Sequence, residues 1–334
     1  MHLQQRIDLL FDLGNYMQSD NEQWNQAKQK ASIANGWFIP EFIDLAIKNI
    51  VDGFLKKDKL EKWAHHYHIP EDNISVKNIG LIMAGNIPLV GFHDFLCIFI
   101  SGNKQTIKPS SKDDVLIKHL VQYLFFLEPE TKNLISFSEM LKGCDAYIAT
   151  GSNNSARYFE YYFSKYPNII RRNRTSVAIL DGSESKEELE KLADDVYLYF
   201  GLGCRNVTKI YVPENYDFVP LIESFKKYSY LADNHKYKNN YDYQLAILII
   251  NKKYYMTDGA VILTENDAVF SAISVLNFEY YKNIKSVIDS LTANNDIQCV
   301  VSKEQTAFGQ SQKPSLMDYA DGADTMKFLI NLPT

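Results

Sequence analysis

No run of this 334-residue chain is apolar for long enough to cross a bilayer. The most apolar stretch, Ile79 to Ile100, is interrupted by Asn86, Pro88, His93 and Asp94, and reads as a buried strand followed by a helix. The N-terminus, Met1-His2-Leu3-Gln4-Gln5-Arg6, lacks the apolar core of an export signal, so a cytoplasmic location is expected. Cysteine is scarce: Cys97, Cys144, Cys204 and Cys299 are widely and irregularly spaced, which fits a reducing compartment. With no CxxC pair, a zinc knuckle is not indicated. Excess positive charge is also lacking. The formal net charge of −6 argues against a broad nucleic-acid surface. No GxGxxG fingerprint, internal repeat or low-complexity segment occurs.

What is present is an ordinary globular balance, 46% hydrophobic and 23% charged, in a chain long enough for two lobes. Residues 1–72 read as helical: Leu3, Ile7, Leu10 and Phe11 share a face, as do Ile43, Ile47, Ile50 and Phe54. From about 75 strands and helices alternate. Strands are expected at Ile79–Ala84, Thr106–Lys108, Ala146–Thr150 and Ser176–Leu180. Helices are expected at Val90–Ile100, Asp113–Leu127 (capped by Ser110 and Ser111), Asn153–Tyr162 and Glu187–Tyr199. The alternation restarts after Cys204, with strands at Ile210–Val212, Gly259–Leu263 and Ile297–Val301 and helices at Phe218–Tyr230, Tyr243–Ile250 and Ile284–Leu291. This order predicts an α/β protein with parallel sheets covered on both faces. The expected division is a helical segment 1–72, an α/β domain 73–200, a cysteine-bearing α/β domain 201–300 and a C-terminal segment 301–334 returning to the first domain.

Four features fall where chemistry is usually placed. Phe200-Gly201-Leu202-Gly203-Cys204-Arg205-Asn206 frees the backbone before a thiol and then opens a strand, as an exposed nucleophile requires. The alternative is a small residue in a tight turn. Gly85-Asn86-Ile87-Pro88 puts a carboxamide on a punctuated turn, where it can hold an oxyanion or satisfy its own backbone. Lys108-Pro109-Ser110 sets a cation at a strand end, for a ribose or phosphate or for solvent. Thr150-Gly151-Ser152 leads a strand into a helix N-terminus, a phosphate-binding geometry that many non-binding βα units share. The tract His65-His66-Tyr67-His68 reads as a solvated helix end and no metal site is expected. Cys97, Cys144 and Cys299 lie in apolar surroundings and read as core.

Taken in order, these motifs resemble the aldehyde dehydrogenase superfamily. The closer resemblance is to its branch of acyl-CoA reductases related to the fatty acid reductase of bacterial bioluminescence, over roughly residues 75–330. That branch is also suggested by Ala149-Thr150-Gly151-Ser152-Asn153-Asn154-Ser155-Ala156-Arg157 and by Phe308-Gly309-Gln310-Ser311-Gln312-Lys313-Pro314. The resemblance implies an aldehyde-dehydrogenase-like fold of two Rossmann-like lobes, with Cys204 attacking a thioester and carrying the acyl group. Asn86 and the Cys204 backbone N–H would form the oxyanion hole. Lys108 and Ser110 would face the adenosine ribose and its phosphate, Gly151 and Ser152 the pyrophosphate, and Glu304 the nicotinamide ribose. Aldehyde-oxidising members carry a water-activating glutamate some thirty residues before the cysteine. Here Ile169-Ile170-Arg171-Arg172-Asn173-Arg174-Thr175 has no carboxylate, which favours reduction of an acyl-CoA over hydrolysis. Arg171, Arg172 and Arg174 would either receive phosphates or form a solvated turn pairing with acidic side chains. The implied reaction takes an acyl-CoA or acyl-protein thioester to an aldehyde with NADPH, NADH being the alternative. The implied partners are a second copy of the chain and an enzyme that supplies acyl groups or consumes aldehyde. The competing readings are an aldehyde or semialdehyde dehydrogenase and an acyl-carrying subunit of a multi-enzyme reductase.

Overall fold

A computed structural model describes residues 1–333, which divide into two compact units: 1–173 with 314–333, and 174–313. The first unit opens with four helices, α1 (Leu3–Met17), α2 (Glu22–Ala34), α3 (Pro40–Phe54) and α4 (Lys57–His66). The expected stripe on α3 is buried (Ile43, Ile47, Ile50 and Phe54), and on α1 Leu3, Ile7 and Leu10 are buried while Phe11 is only half-buried. Pro40 stands at the first turn of α3, where its missing N–H costs no helical bond. An α/β layer follows, made of β1 (Asn78–Ile82), α5 (Phe92–Ile100), β2 (Lys104–Lys108), α6 (Asp114–Leu127), β3 (Ile135–Phe137), β4 (Ala146–Thr150), α7 (Asn153–Phe163) and β5 (Asn168–Arg171).

All five strands run parallel in the order β3-β2-β1-β4-β5. Such strands are buried on both faces, which is why β1 and β4 read as unbroken apolar runs. The chain winds outward from β1 to β3, then crosses back to β4 on the other side of β1. The point where strand order reverses lies between β1 and β4, where doubly wound sheets take their ligands.

The second unit contains β6 (Thr175–Ile179), α8 (Lys186–Tyr197), β7 (Val207–Pro213), α9 (Val219–Phe225), α10 (His235–Ile250), β8 (Met256–Thr257), β9 (Ile262–Glu265), β10 (Val275–Tyr281), α11 (Ile284–Thr292) and β11 (Ile297–Val301). Its sheet order is β11-β6-β7-β10-β9-β8, parallel except for the β8–β9 pair. The chain ends in the first unit with α12 (Thr325–Ile330).

The structure moves the expected boundary at 200 to 173. β6 pairs with β7 and β11, so it and α8 belong to the cysteine-bearing sheet. The C-terminal segment likewise splits. Residues 301–313 stay in the second unit, because the Asp195 carboxylate accepts from the Gly309 and Ser311 N–H groups at 2.7 and 3.0 Å. Residues 314–333 join the first unit, where the Trp63 indole donates to the Tyr319 hydroxyl at 3.0 Å. Among the described residues, no helix is long and apolar enough to cross a membrane.

Candidate active site

In the first unit, the carboxyl ends of the strands bring three of the expected residues together. Ile82 on β1 is in register with Lys108 on β2 and with Ala149 on β4. The Met83 N–H donates to the Lys108 carbonyl at 3.1 Å, so the loop carrying Asn86 begins against the turn carrying Lys108 and Ser110. A Cβ at Gly85 would lie 2.6 Å from the Ser110 hydroxyl, so only glycine lets these two loops approach so closely. Asn86 is exposed on this edge, and Lys108 and Ser110 are half-buried.

Ser110 and Ser111 do not cap α6. The Ser110 hydroxyl accepts from the Lys112 N–H, and Asp113 takes the cap position. The Asp113 carboxylate turns instead toward the preceding loop, where it accepts from the Leu89 N–H at 2.6 Å. Leu89 is left-handed at φ 56°, so this bond pins a strained residue three positions after Asn86. Burial pushes the Asp113 carboxyl well above the ordinary range, despite that bond.

Gly151 and Ser152 follow β4, on the other side of the reversal point. Ser152 caps α7 by accepting from the Ser155 N–H at 3.3 Å. A Cβ at Gly151 would meet the Phe159 ring and Ser155 Cβ at 2.9 Å. This glycine therefore permits α7 to pack tightly on its own entry loop.

The stretch Ile169–Thr175 is structural in its first arginine. Arg171 is 2% exposed at the end of β5. It forms an ion pair with Asp94 on α5, and donates to the Thr325 hydroxyl at 2.7 Å and the Ala320 carbonyl at 3.3 Å. Arg172 pairs with Glu160 at the surface, and Arg174 donates to the Ile297 carbonyl. Arg172 pairs with a carboxylate at the surface as one reading has it, whereas Arg171 pairs with Asp94 from a buried strand end and not from a solvated turn.

In the second unit, Cys204 is half-buried on the loop between α8 and β7, at the amino ends of β6 and β7. Tyr199, Phe200 and Gly201 are all left-handed, at φ 57°, 57° and 72°, which ends α8 earlier than expected and reverses the chain. Burial of both aromatic side chains, 4% and 1% exposed, holds that strain in place. The Ser176 hydroxyl donates to the Cys204 carbonyl at 3.1 Å and lies 3.1 Å from the Cys299 sulfur. With its one proton committed to the carbonyl, Ser176 accepts from the Cys299 thiol. Cys299 is therefore half-buried and polar-bonded, not core as expected, because β11 is an edge strand. Cys97 and Cys144 are buried, and burial raises both thiols.

Glu304 is exposed at the tip of the turn after β11, where the Ser302 hydroxyl accepts from the Glu304 and Gln305 N–H groups. Asn206, Ser176 and Asp195 carry much of the local geometry and were not singled out from sequence. Asp195 offered a signal, a carboxylate three residues after Leu192 on the buried stripe of α8. Among the described residues, no group of three or more His, Cys, Asp or Glu could hold a metal ion.

A family model described as acyl-CoA reductase (LuxC) matches residues 46–302. The chain belongs to the acyl-CoA reductase (LuxC) family. The match includes Asn86, Lys108, Ser110, Gly151, Ser152 and Cys204 and ends two residues before Glu304. No curated protein matches the chain. Among solved structures it is similar to aldehyde dehydrogenase 21 from Physcomitrella patens in complex with the product succinate. The TM-score is 0.67 at 13% identity, over 91% of this chain and 74% of that one. An NAD-dependent aldehyde dehydrogenase from Sinorhizobium meliloti gives 0.66 at 12%, over 93% and 72%. An oxidoreductase from Marinobacter aquaeolei gives 0.64 at 12%, over 93% and 75%. At these identities the likeness establishes the fold, which is that of the aldehyde dehydrogenases. As an acyl-CoA reductase family member, the protein is an oxidoreductase of the acyl-CoA reductase and aldehyde dehydrogenase type.

Proposed function

We propose that this acyl-CoA reductase family member converts a fatty acyl-CoA to the aldehyde with NADPH, through a thioester on Cys204. The observation that carries the reading is the family match over 46–302, which contains the Gly-flanked Cys204 turn. The Cys204 sulfur adds to the acyl carbon, the C–S bond to coenzyme A then breaks, and the departing thiolate takes up the proton that the Cys204 thiol gave up. The carbonyl oxygen becomes negative before the leaving group departs, and Asn86 and the Cys204 backbone N–H serve as its donors. Because the stretch Ile169–Thr175 offers no carboxylate to activate water, the acyl group persists on Cys204 long enough to be reduced.

The first unit has donors suited to a nicotinamide dinucleotide. At the β1/β4 reversal point, the N-terminus of α7 offers backbone N–H groups for a pyrophosphate, and Lys108 on the same edge offers a cation for a ribose or its 2′-phosphate. When bound, this cofactor supplies the two electrons of the reduction. Lys108, with Ser110, Ser111 and Lys112 beside it, favours NADPH over NADH.

The test mixes the protein with acyl-CoAs of graded length and NADPH or NADH, and follows nicotinamide absorbance beside Cys204→Ala. Aldehyde formation that vanishes in the variant is the expected result. Free acid as product would place the protein among aldehyde dehydrogenases. An acyl adduct on Cys204 without oxidation of either cofactor would make it an acyl carrier.

A further inference from the structure

We propose that Asn206 and Ser176 are positioning residues for the nucleophile. They clamp the backbone on either side of Cys204 and thereby set the rate at which the thiol accepts an acyl group. The proposal rests on the reading of Cys204 as nucleophile. It is carried by an unusual concentration of hydrogen bonds on one short turn. Asn206 is completely buried, and every polar atom of its carboxamide is used. Its oxygen accepts from the Gly203 N–H at 2.8 Å, and its nitrogen donates to the carbonyls of Asp195, Val196 and Leu198 at 3.1, 3.3 and 2.9 Å. Those carbonyls belong to the end of α8, which the left-handed residues Tyr199 to Gly201 leave without a continuing helix. One side chain thus closes the helix end and fastens it to the cysteine turn.

The turn is closed a second time by the backbone, since the Asn206 N–H donates to the Gly203 carbonyl at 3.0 Å. Cys204 is the second residue of this four-residue turn. Its own carbonyl is taken by the Ser176 hydroxyl at the start of β6, and the Ser176 N–H donates to the Asn206 carbonyl at 3.1 Å. The Asn206 side chain therefore holds the Leu202–Gly203 peptide through the Gly203 N–H, its backbone N–H holds the Gly203 carbonyl immediately before the Cys204 Cα, and the Ser176 hydroxyl holds the Cys204 carbonyl immediately after it. The bonds they make to the turn are to backbone groups. Their effect is on where its backbone stands, and a displacement of about 1 Å at a reacting centre is enough to cost about 100-fold in rate.

The test compares Asn206→Asp and Ser176→Ala with the full-length wild type. Asn206→Asp keeps an oxygen for the Gly203 N–H but sets a carboxylate against three carbonyls. Ser176→Ala removes the hydroxyl's bonds to the Cys204 carbonyl and from the Cys299 thiol but no charge, and decides the matter alone if Asn206→Asp does not fold. Three quantities are measured at a temperature below every melting transition: the rate of acyl transfer from palmitoyl-CoA to Cys204 by intact mass, kcat with KM for each substrate, and the iodoacetamide rate across pH. Acylation and kcat are expected to fall about 100-fold in Asn206→Asp and about three- to tenfold in Ser176→Ala. Both KM values stay within about twofold, and alkylation is no slower than in the wild type, because the thiol is less confined but not less available. Unchanged acylation in a folded Asn206→Asp, or in Ser176→Ala where Asn206→Asp does not fold, overturns the proposal while leaving Cys204 as nucleophile. A loss confined to KM does the same. No acyl adduct in the wild type overturns the nucleophile reading and this proposal with it.

Discussion

Arg171 offers a decisive perturbation, because phosphate binding and structural pairing predict different losses. Its guanidinium makes an ion pair with Asp94 and hydrogen bonds to Thr325 and Ala320, joining β5 to α5 and to the segment around α12. The Thr325 hydroxyl lies 3.2 Å from the second Asp94 oxygen, which closes the network. Removing the arginine leaves Asp94, 9% exposed, as an uncompensated charge, and breaking a buried pair from one side costs about 3–5 kcal/mol. For a unit of this size each kcal/mol moves Tm by about 2–4 °C, so Arg171→Ala is expected to lower the transition by about 6–20 °C. All three tryptophans, Trp24, Trp37 and Trp63, lie in the first unit, so their fluorescence reports its unfolding selectively. The double variant Arg171→Met/Asp94→Leu removes both charges and is expected to recover most of the loss. Arg171→Lys recovers little, because one ammonium cannot reach three acceptors on separate elements as the planar fork does. A melt for Arg171→Ala within about 2 °C of wild type, accompanied by a tenfold rise in KM for NADPH or acyl-CoA, would refute the structural account and restore the phosphate reading.

Asp113 predicts a pH dependence of stability. Its carboxyl is raised by burial, so between its ordinary 3.8 and the raised value the native state holds a proton that the unfolded chain has released. Stability from this group therefore declines as pH rises through that window. Tryptophan-monitored denaturation should show a flatter pH profile for Asp113→Asn, and parallel profiles would contradict the assignment. Gly151→Ala is expected to force α7 away from its entry loop, raising KM for the nicotinamide cofactor about tenfold or more while leaving the Cys204 alkylation rate unchanged. Steady-state kinetics beside an alkylation time course checks both halves. With limiting iodoacetamide near neutral pH, Cys204 should be modified first and Cys97 and Cys144 only on unfolding, since burial raises both of the latter thiols. Peptide mapping that finds Cys97 labelled in native protein would overturn that order.

The parts of this fold that were legible in the sequence are those written in local patterns. The stripe Ile43, Ile47, Ile50, Phe54 is a helical period, and all four residues are buried on α3. β1 and β4 are apolar runs because parallel strands between helices have no wet face. β10 was missed because Asn277 and Glu279 interrupt its apolar run. Asn277 is buried and donates to the Ala268 and Phe270 carbonyls, and Glu279 pairs with the buried Lys209. The unit boundary at 173 was out of reach for a related reason. Whether Thr175–Ile179 joins one sheet or the other depends on partners more than thirty residues away, and nothing within the strand records that choice. In the site, Asn86, Lys108 and Cys204 stood out by their glycines and prolines. Asn206 was visible only as the end of a motif, since a carboxamide's partners are backbone groups and leave no complementary residue type to find. Arg171 read as surface because its acidic partner is 77 residues earlier.

The first unit is discontinuous: residues 314–333 complete it, while 174–313 form the second unit as one uninterrupted segment. On a ribosome the two units therefore mature in an order opposite to their numbering. The second can close its sheet once residue 313 has emerged. The first must wait, with the acceptors for Arg171 around Ala320 and Thr325 not yet made. Until then, the Arg171–Asp94 pair and the apolar face that receives Met326 and Leu329 lack part of their cover. A chain stalled or clipped near residue 313 would carry an intact cysteine turn beside an unfinished first unit, so proteolysis and chaperone capture of nascent chains should concentrate on residues 1–173.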